Sequence, residues 1–459
     1  MHARKQLQPE IIDLKMGCYP LKIGYIIKSN NHMTLLSINI LRLKKPLMKF
    51  GFLGVVMIFF GCSTPPKKEK SNTVKIPITG SYEDDVNFLK RHTEIIELVD
   101  SDSKSRIALS PALQGRVMTS SSSGKGGRSY GWINRELFES NDTLEHINVY
   151  GGEERFWLGP EGGQYSIFFK NGNAFTLENW QTPRLIDLDR FEVQSTESNK
   201  VVFAKQASLI NYSGFRFDIG IEREIALRSR KEIIDDFDIN DLKGVNAIAY
   251  RTINVLTNTS DLDWKKETGL LSIWLLGMFN HSPTATIVIP YITGAESDLG
   301  ITVNDTYFGK VPSERLTVKD KVIFFKGDGE YRSKIGLSPM RAKDIMGSYD
   351  ATNGILTIVK YNKPVGVTDY VNSMWEMQDK PYSGDAVNSY NDGSPSPGKK
   401  PLGPFYELET SSPALALKAG EHGTHIQTTC HFEGDKDKLN SIAEKLLGVS
   451  IIEIGGVFK

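Results

Sequence analysis

Between Phe215 and Leu227, every second residue but one is apolar: Phe215, Phe217, Ile219, Ile221, Ile225 and Leu227, with Arg223 breaking the series. A period of two over that span is the mark of a half-buried β-strand and cannot be laid on one face of a helix. Similar runs recur at Val201-Val202-Phe203, Ile287-Val288-Ile289, Val322-Ile323-Phe324-Phe325 and Ile355-Leu356-Thr357-Ile358-Val359. Turn clusters such as Asn171-Gly172-Asn173, Asn211-Tyr212-Ser213-Gly214 and Gly327-Asp328-Gly329 separate them. There is no βαβ alternation and no fixed-period repeat. The pattern predicts an all-β chain, a large antiparallel two-sheet β-sandwich with a few peripheral helices.

Two helices are signalled at the edges. Ser81 followed by Asp84 caps a segment carrying Val86, Leu89 and His92. Leu439, Ile442, Ala443 and Leu446 recur at helical spacing, with Asp435 or Asp437 before them and Gly448 after. By contrast, residues 382–404 hold many Ser, Asn, Asp, Gly and Pro. That composition predicts one long loop without strand or helix, of a length that is usually functional or disordered.

The N-terminal part reads as a targeting segment. Arg42, Lys44, Lys45 and Met48-Lys49 precede an apolar run from Phe50 to Gly61 that ends at Cys62. A spanning helix needs about 20 apolar residues, so this shorter run predicts a signal peptide over 48–61. The small residue before Cys62 is the pattern of a lipidation site. Ser63-Thr64-Pro65-Pro66 and the charged stretch after it complete a lipidated, flexible tether over 62–80. Residues 1–47 are expected to be an upstream extension preceding the true start at Met48, leaving 81–459 as a single β-sandwich domain. The expected location is the bacterial cell envelope, with the protein held to a membrane through lipid.

Charge sharpens the list of partners. The first 61 residues hold nine Lys/Arg and two Asp/Glu, leaving 46 basic and 53 acidic residues beyond them. A mildly acidic body argues against nucleic-acid binding, which draws on basic surfaces. Beyond Cys62 the only cysteine is Cys430, so no disulfide forms within the body. Nothing in the sequence fixes an oligomeric state.

Three segments carry the candidate chemistry. In Phe405-Tyr406-Glu407-Leu408-Glu409-Thr410, a strand puts Glu407 and Glu409 on one face, about 7 Å apart. Neighbouring carboxylates resist joint ionisation, which supplies an acid or base near neutral pH. In His425-Ile426-Gln427-Thr428-Thr429-Cys430-His431-Phe432, alternation groups His425, Gln427, Thr429 and His431, against Ile426, Cys430 and Phe432 on an apolar face. Residues six apart on a strand lie about 20 Å apart, so His425 and His431 share no metal ion; His425 is a candidate acid or sugar contact. Gly151-Gly152-Glu153-Glu154-Arg155-Phe156-Trp157-Leu158-Gly159-Pro160-Glu161-Gly162-Gly163-Gln164 offers Trp157 as a plate for a sugar ring. It also offers Arg155, Glu161 and Gln164 for hydroxyl groups.

Further substrate contacts are expected at Lys334, Tyr390 and Asn391, with Arg332, Trp375 and Glu376 behind them. Asp385, Asn388, Asn391 and Asp392 have oxygens suited to Ca2+, without EF-hand spacing; no metal or other cofactor is expected to be required. The nucleophile elbow, P-loop, zinc-protease and dinucleotide motifs are all missing from the sequence.

The run from Glu407-Leu408-Glu409-Thr410 through Leu415, Leu417 and Lys418-Ala419-Gly420-Glu421 to Thr428-Thr429-Cys430-His431-Phe432 resembles the end of galactose mutarotase. There, a strand bearing the catalytic Glu is followed by a Leu-x-Pro-Gly-Glu turn and a closing strand. The Arg155-Phe156-Trp157 segment resembles the early arginine-bearing segment of the same proteins, and roughly 82–459 resembles bacterial lipoproteins related to that superfamily. The resemblance implies a galactose mutarotase-like supersandwich and a carbohydrate ligand. It aligns Glu409 best with the catalytic Glu, then Glu407, and matches Arg155 to the substrate-binding arginine. Mutarotases carry two mid-chain histidines; His146 and His281, the central ones here, do not sit in that pattern. Three functions stay open: an aldose epimerase or mutarotase, a lyase or glycosidase on the same fold, and a non-catalytic glycan-binding lipoprotein.

Overall fold

The computed structural model describes residues 26–29, 32–35, 80–102 and 104–459. The chain divides into two units, Met1–Thr73 and Val74–Lys459. In the first, Ile26–Ser29 and His32–Leu35 pair antiparallel. The expected signal segment 48–61, the lipid site Cys62 and the tether up to residue 79 lie outside the described residues. Among the described residues, no helix is long and apolar enough to cross a membrane.

The second unit is an antiparallel sandwich. Its larger sheet has ten strands, in the order Leu316–Lys319, Val322–Lys326, Ala285–Pro290, Ile345–Asp350, Ile355–Tyr361, His422–Gly434, Val245–Asn258, Arg216–Arg228, Lys200–Ile210 and Glu192–Thr196. The smaller sheet has five, in the order Ser333–Leu337, Val387–Asn391, Phe405–Ser411, Ser272–Asn280 and Arg155–Gly159. A three-stranded sheet of Ile96–Val99, Arg106–Ser110 and Arg116–Ser121 adjoins them.

The alternating segment forms Arg216–Arg228, and its apolar residues Phe217, Ile219, Ile221, Ile225 and Leu227 are buried in the main core. Arg223, the break in the pattern, is buried too. Its guanidinium donates to Glu154 at 2.7 Å and to Asn254 at 2.7 Å, and Gln427 donates to the same Glu154 at 2.8 Å. A buried charge is tolerated only when paired and hydrogen-bonded. Glu154 and Gln427 supply that from two other segments.

Both expected helices are present. Tyr82–His92 starts at a capping box of Ser81 and Asp84. Lys436–Leu447 is capped by Asp435 and ends at Gly448, in the left-handed region at φ 73°. It lays Leu439, Ile442 and Ala443 on the outer face of the ten-stranded sheet, against Cys430, Phe432 and Ile358. Each fully buried aliphatic side chain of this kind contributes about 1.5–3 kcal/mol. Burial also pushes the Cys430 thiol well above its ordinary value.

Residues 382–404 depart from the expected loop. Val387–Asn391 is a fully buried strand between Ser333–Leu337 and Phe405–Ser411. Its polar composition hid it because neither face is apolar. Asn388 and Tyr390 face a cavity, while Ser389 and Asn391 spend their side-chain polarity on backbone groups: Ser389 donates to the Glu407 carbonyl at 2.6 Å and Asn391 to that of Tyr331 at 2.9 Å.

Candidate functional site

The five-stranded sheet has two unlike faces. Phe156, Leu158, Ile273 and Leu275 join the main core, and Tyr406 and Thr410 reach Ser348 and Gln427 of the large sheet. The alternate residues of the same strands form the opposite face. In register across it, Arg155 pairs with Leu276, Leu276 with Glu409 and Glu409 with Asn388. One step along, Met278 pairs with Glu407, Glu407 with Tyr390 and Tyr390 with Lys334. This face floors a cavity of about 750 Å3, within the range of small-molecule sites.

Aromatic rings form one side. Trp157 meets Trp274 edge-on with centroids 5.6 Å apart, and Phe168 links Trp157 to Trp180, which stacks on Trp375 at 5.7 Å. These rings hold flat apolar surfaces beside the polar floor.

The two glutamates occupy different settings. Glu407 lines the cavity and accepts a bond from Arg155, whose guanidinium also lies 4.9 Å from the Trp157 ring centre. Burial pushes the Glu407 carboxyl up to about 7, with Arg155 opposing and the Glu409 charge adding to the rise. Glu409 is wholly buried and is not among the lining residues. It accepts from Lys334 Nζ at 2.9 Å and from Trp274 Nε1 at 3.0 Å. Burial works to lower the Lys334 ammonium, but Glu409 and Glu161 outweigh it and hold the group above its ordinary value, hence cationic. Arg155 Nε and Glu409 Oε1 are buried without a protein partner.

A second polar group flanks this pair. Tyr307 donates to Asp385 at 2.6 Å, and Asn388 donates to the Tyr307 hydroxyl at 3.2 Å. Burial pushes Asp385 up to about 6. Tyr390 donates to Asp392 at 2.5 Å, and the Gly403 N–H donates to Asp392 at 2.8 Å. Burial raises both phenols well above their ordinary value, so they stay protonated.

The remaining expected residues separate clearly. Glu161 lines the cavity, its carboxyl raised by burial and opposed by Lys334 and a bond to Trp375. Trp157, Lys334 and Tyr390 line it as well. Gln164 instead donates to the Gln378 carbonyl at 2.8 Å and accepts from its N–H at 3.0 Å, fastening the segment that carries Trp375. Asn391 points to the other face, where it accepts from the Gly329 N–H at 2.9 Å. Asp385, Asn388, Asn391 and Asp392 therefore do not converge on one point, and among the described residues no group of three His, Cys, Asp or Glu is arranged to hold a metal.

His425 lies on the large sheet and is buried between the layers, 2.8 Å from Thr410 Oγ1. Thr410 points inward while its neighbour Glu409 points outward, so the sheet itself stands between His425 and the cavity. Burial pushes this imidazole down to about 3. Of the central histidines, His146 lines the large cavity, its Nδ1 2.7 Å from the Trp180 carbonyl. His281 lines a small separate cavity with Tyr406 and His431. Trp274 and Tyr307 were not evident from sequence. Trp274 sits in the apolar run Ile273-Trp274-Leu275-Leu276 and reads as core.

The fold and the cavity define an antiparallel β-sandwich protein with an open cavity of polar and aromatic lining on the outer face of its smaller sheet. The chain belongs to the family of unknown function DUF6786, which it matches over residues 80–458. No curated protein matches it in sequence. Solved structures similar to it include a candidate aldose 1-epimerase from Escherichia coli K12, at 12% identity and a TM-score of 0.43, covering 74% of this chain and 99% of that one. A galactose mutarotase-like protein from Lactobacillus casei has 11% identity and a TM-score of 0.42, covering 74% and 100%. A galactose mutarotase related enzyme from Lactobacillus acidophilus has 10% identity and a TM-score of 0.39, covering 74% and 97%. Likeness at this level says nothing of activity.

Proposed function

We propose that the cavity binds a carbohydrate and that Glu407 moves a proton on it, in an epimerase or mutarotase type of reaction. The observation that supports this most is Glu407 itself: a carboxyl on the cavity wall, beside aromatic plates, pushed up to about 7, so that near neutral pH it can both take and return a proton. A general base works best when its pKa lies close to the working pH. In the proposed step, Glu407 takes the proton of the anomeric hydroxyl, the bond from C1 to the ring oxygen breaks, and the ring oxygen receives a proton. Asp385, pushed up to about 6, is the proposed donor of that proton, the step starting from the state in which Glu407 is ionised and Asp385 protonated. Rotation of the open-chain aldehyde and the reverse transfers close the ring with C1 inverted and return both carboxyls to their starting states. Arg155 and Lys334 orient hydroxyls.

A glycan library screened by thermal shift, followed by polarimetry and reducing-end assays on each hit, tests the proposal. Glu407→Gln is expected to lower turnover by about 10²–10⁴ while the hit still binds. Unchanged turnover would remove Glu407 from the mechanism. One observation favours a second reading: Glu407 and Glu409 each already have a cationic partner, Arg155 and Lys334. A wall so neutralised suits glycan binding without chemistry, and hits that bind without turnover would select it. Envelope anchoring through Cys62 also stands as a proposal.

A further inference from the structure

The lining of the cavity changes character from floor to mouth. The floor gathers the charged groups of Arg155, Glu407 and Lys334 around Leu276 and Met278. At the mouth, beside the exposed charges of Glu145, Glu376 and Lys400, Leu144, Leu177, Phe308 and Leu402 line the same cavity and are 49%, 54%, 43% and 46% exposed. Side chains that both line a cavity and meet solvent stand at its opening. They come from four separate segments of the chain. Single exposed leucines are ordinary, but apolar tips gathered from distant segments around one opening mark a recognition surface. The rim is also joined to the floor. Phe308 meets Tyr390 edge-on at 6.0 Å, and Tyr390 pairs with Glu407 in register. Arg332 stacks 3.7 Å over the outer ring, Phe308, and fixes it there. Aliphatic side chains offer a sugar hydroxyl nothing, whereas an alkyl chain leaving the floor would be desolvated by them.

We infer that the ligand is amphiphilic: a glycoside whose sugar sits on the charged floor and whose aglycone is an aliphatic chain lying between Leu144, Leu177, Phe308 and Leu402. This rests on the carbohydrate reading proposed above.

The test is a tryptophan-fluorescence titration of the full chain with methyl and octyl pyranosides of the common hexoses, below their micellar concentrations, and with octanol. Each methylene buried at the rim is expected to tighten binding about fourfold. The best octyl glycoside should therefore bind at least tenfold tighter than its methyl counterpart. In the double variant Leu144→Ser/Leu402→Ser that gap should shrink at least threefold, with methyl-glycoside affinity held within twofold as evidence of an intact floor. Equal affinity for methyl and octyl glycosides overturns the inference and leaves the carbohydrate reading standing. A gap that the double variant does not change overturns it as well. Octanol binding as tightly as every octyl glycoside, with no methyl glycoside bound, overturns the carbohydrate reading and this inference with it.

Discussion

At the scale of single residues, Glu407 and Glu409 are two positions apart on one strand and share a face, yet only Glu407 lines the cavity. The ring of Trp274 and the Lys334 ammonium occupy Glu409. That difference has a consequence for pH. The Glu407 carboxyl holds its proton up to about 7 in the folded protein, against an ordinary value of 4.5. The native state therefore binds more protons than the unfolded chain between about 4.5 and 7, and stability from this group is lost as pH rises through that window. His425 acts oppositely: pushed down to about 3, it stabilises above its ordinary value of 6.5 and loses that contribution as pH falls. Glu407→Gln removes only the first effect. Its melting temperature should climb more steeply with pH between 4.5 and 7 than that of the wild type, as read by calorimetry; parallel curves would contradict the raised carboxyl. Arg223 gives a second prediction. Arg223→Met leaves Glu154 buried with Gln427 but without its cation, at a cost of about 3–5 kcal/mol. Adding Glu154→Gln should recover part of that loss in denaturant unfolding.

At the scale of elements, the Val387–Asn391 strand and its neighbour Ser333–Leu337 decide how the site is closed on one side. Gly336 pairs with Asn388, and a Cβ there would sit 2.0 Å from Asp385 Oδ2 and 2.5 Å from Asn388 Nδ2. Only a residue without a side chain lets Asp385 reach Tyr307. Gly336→Ala is expected to displace Asp385 and abolish the limb near pH 6 in the pH profile of turnover or ligand binding, while the limb near 7 persists. A profile with both limbs intact would show that Asp385 plays no part. Asn391 is a structural counterpart on the opposite face. Asn391→Ala removes bonds to the Gly329 N–H and the Tyr331 carbonyl, leaving buried groups unpaired at about 1–3 kcal/mol. Thermal unfolding measures that loss, and methyl-glycoside affinity should change little.

At the scale of the whole molecule, the sandwich keeps its large cavity on the outer face of the smaller sheet and its polar cross-links between the layers. His425, Gln427 and His431 belong to those cross-links: Gln427 reaches Glu154, and His431 reaches Glu153 at 3.1 Å. With no disulfide in the body, such contacts and the apolar core hold the layers in register. The proposed tether makes a cellular prediction. Cys62→Ser should move the protein from the membrane to the released fraction on fractionation, and loss of a lipid-sized mass from the N-terminal peptide should accompany it. Retention of the variant on the membrane would count against the anchor.

The period-two runs determined the strand content, because the pleat itself puts alternate residues on opposite faces. Ser81 with Asp84, and Asp435 with Gly448, determined two helix ends, since caps act through neighbours three or four residues away. The same local rule placed Glu407 and Glu409 on one face and Cys430 on an apolar one. Local rules do not say what a face meets. The tertiary structure alone decided that Arg223 is buried opposite Glu154, that a polar segment is the buried strand Val387–Asn391, and that His425 lies behind the sheet from Glu409. It also decided that Trp274, Tyr307 and Asp385, scattered over more than 100 residues of sequence, line one cavity. Each of these depends on pairing across long loops, where the partner's chemistry sets whether a polar side chain is a surface residue, a core cross-link or part of a site.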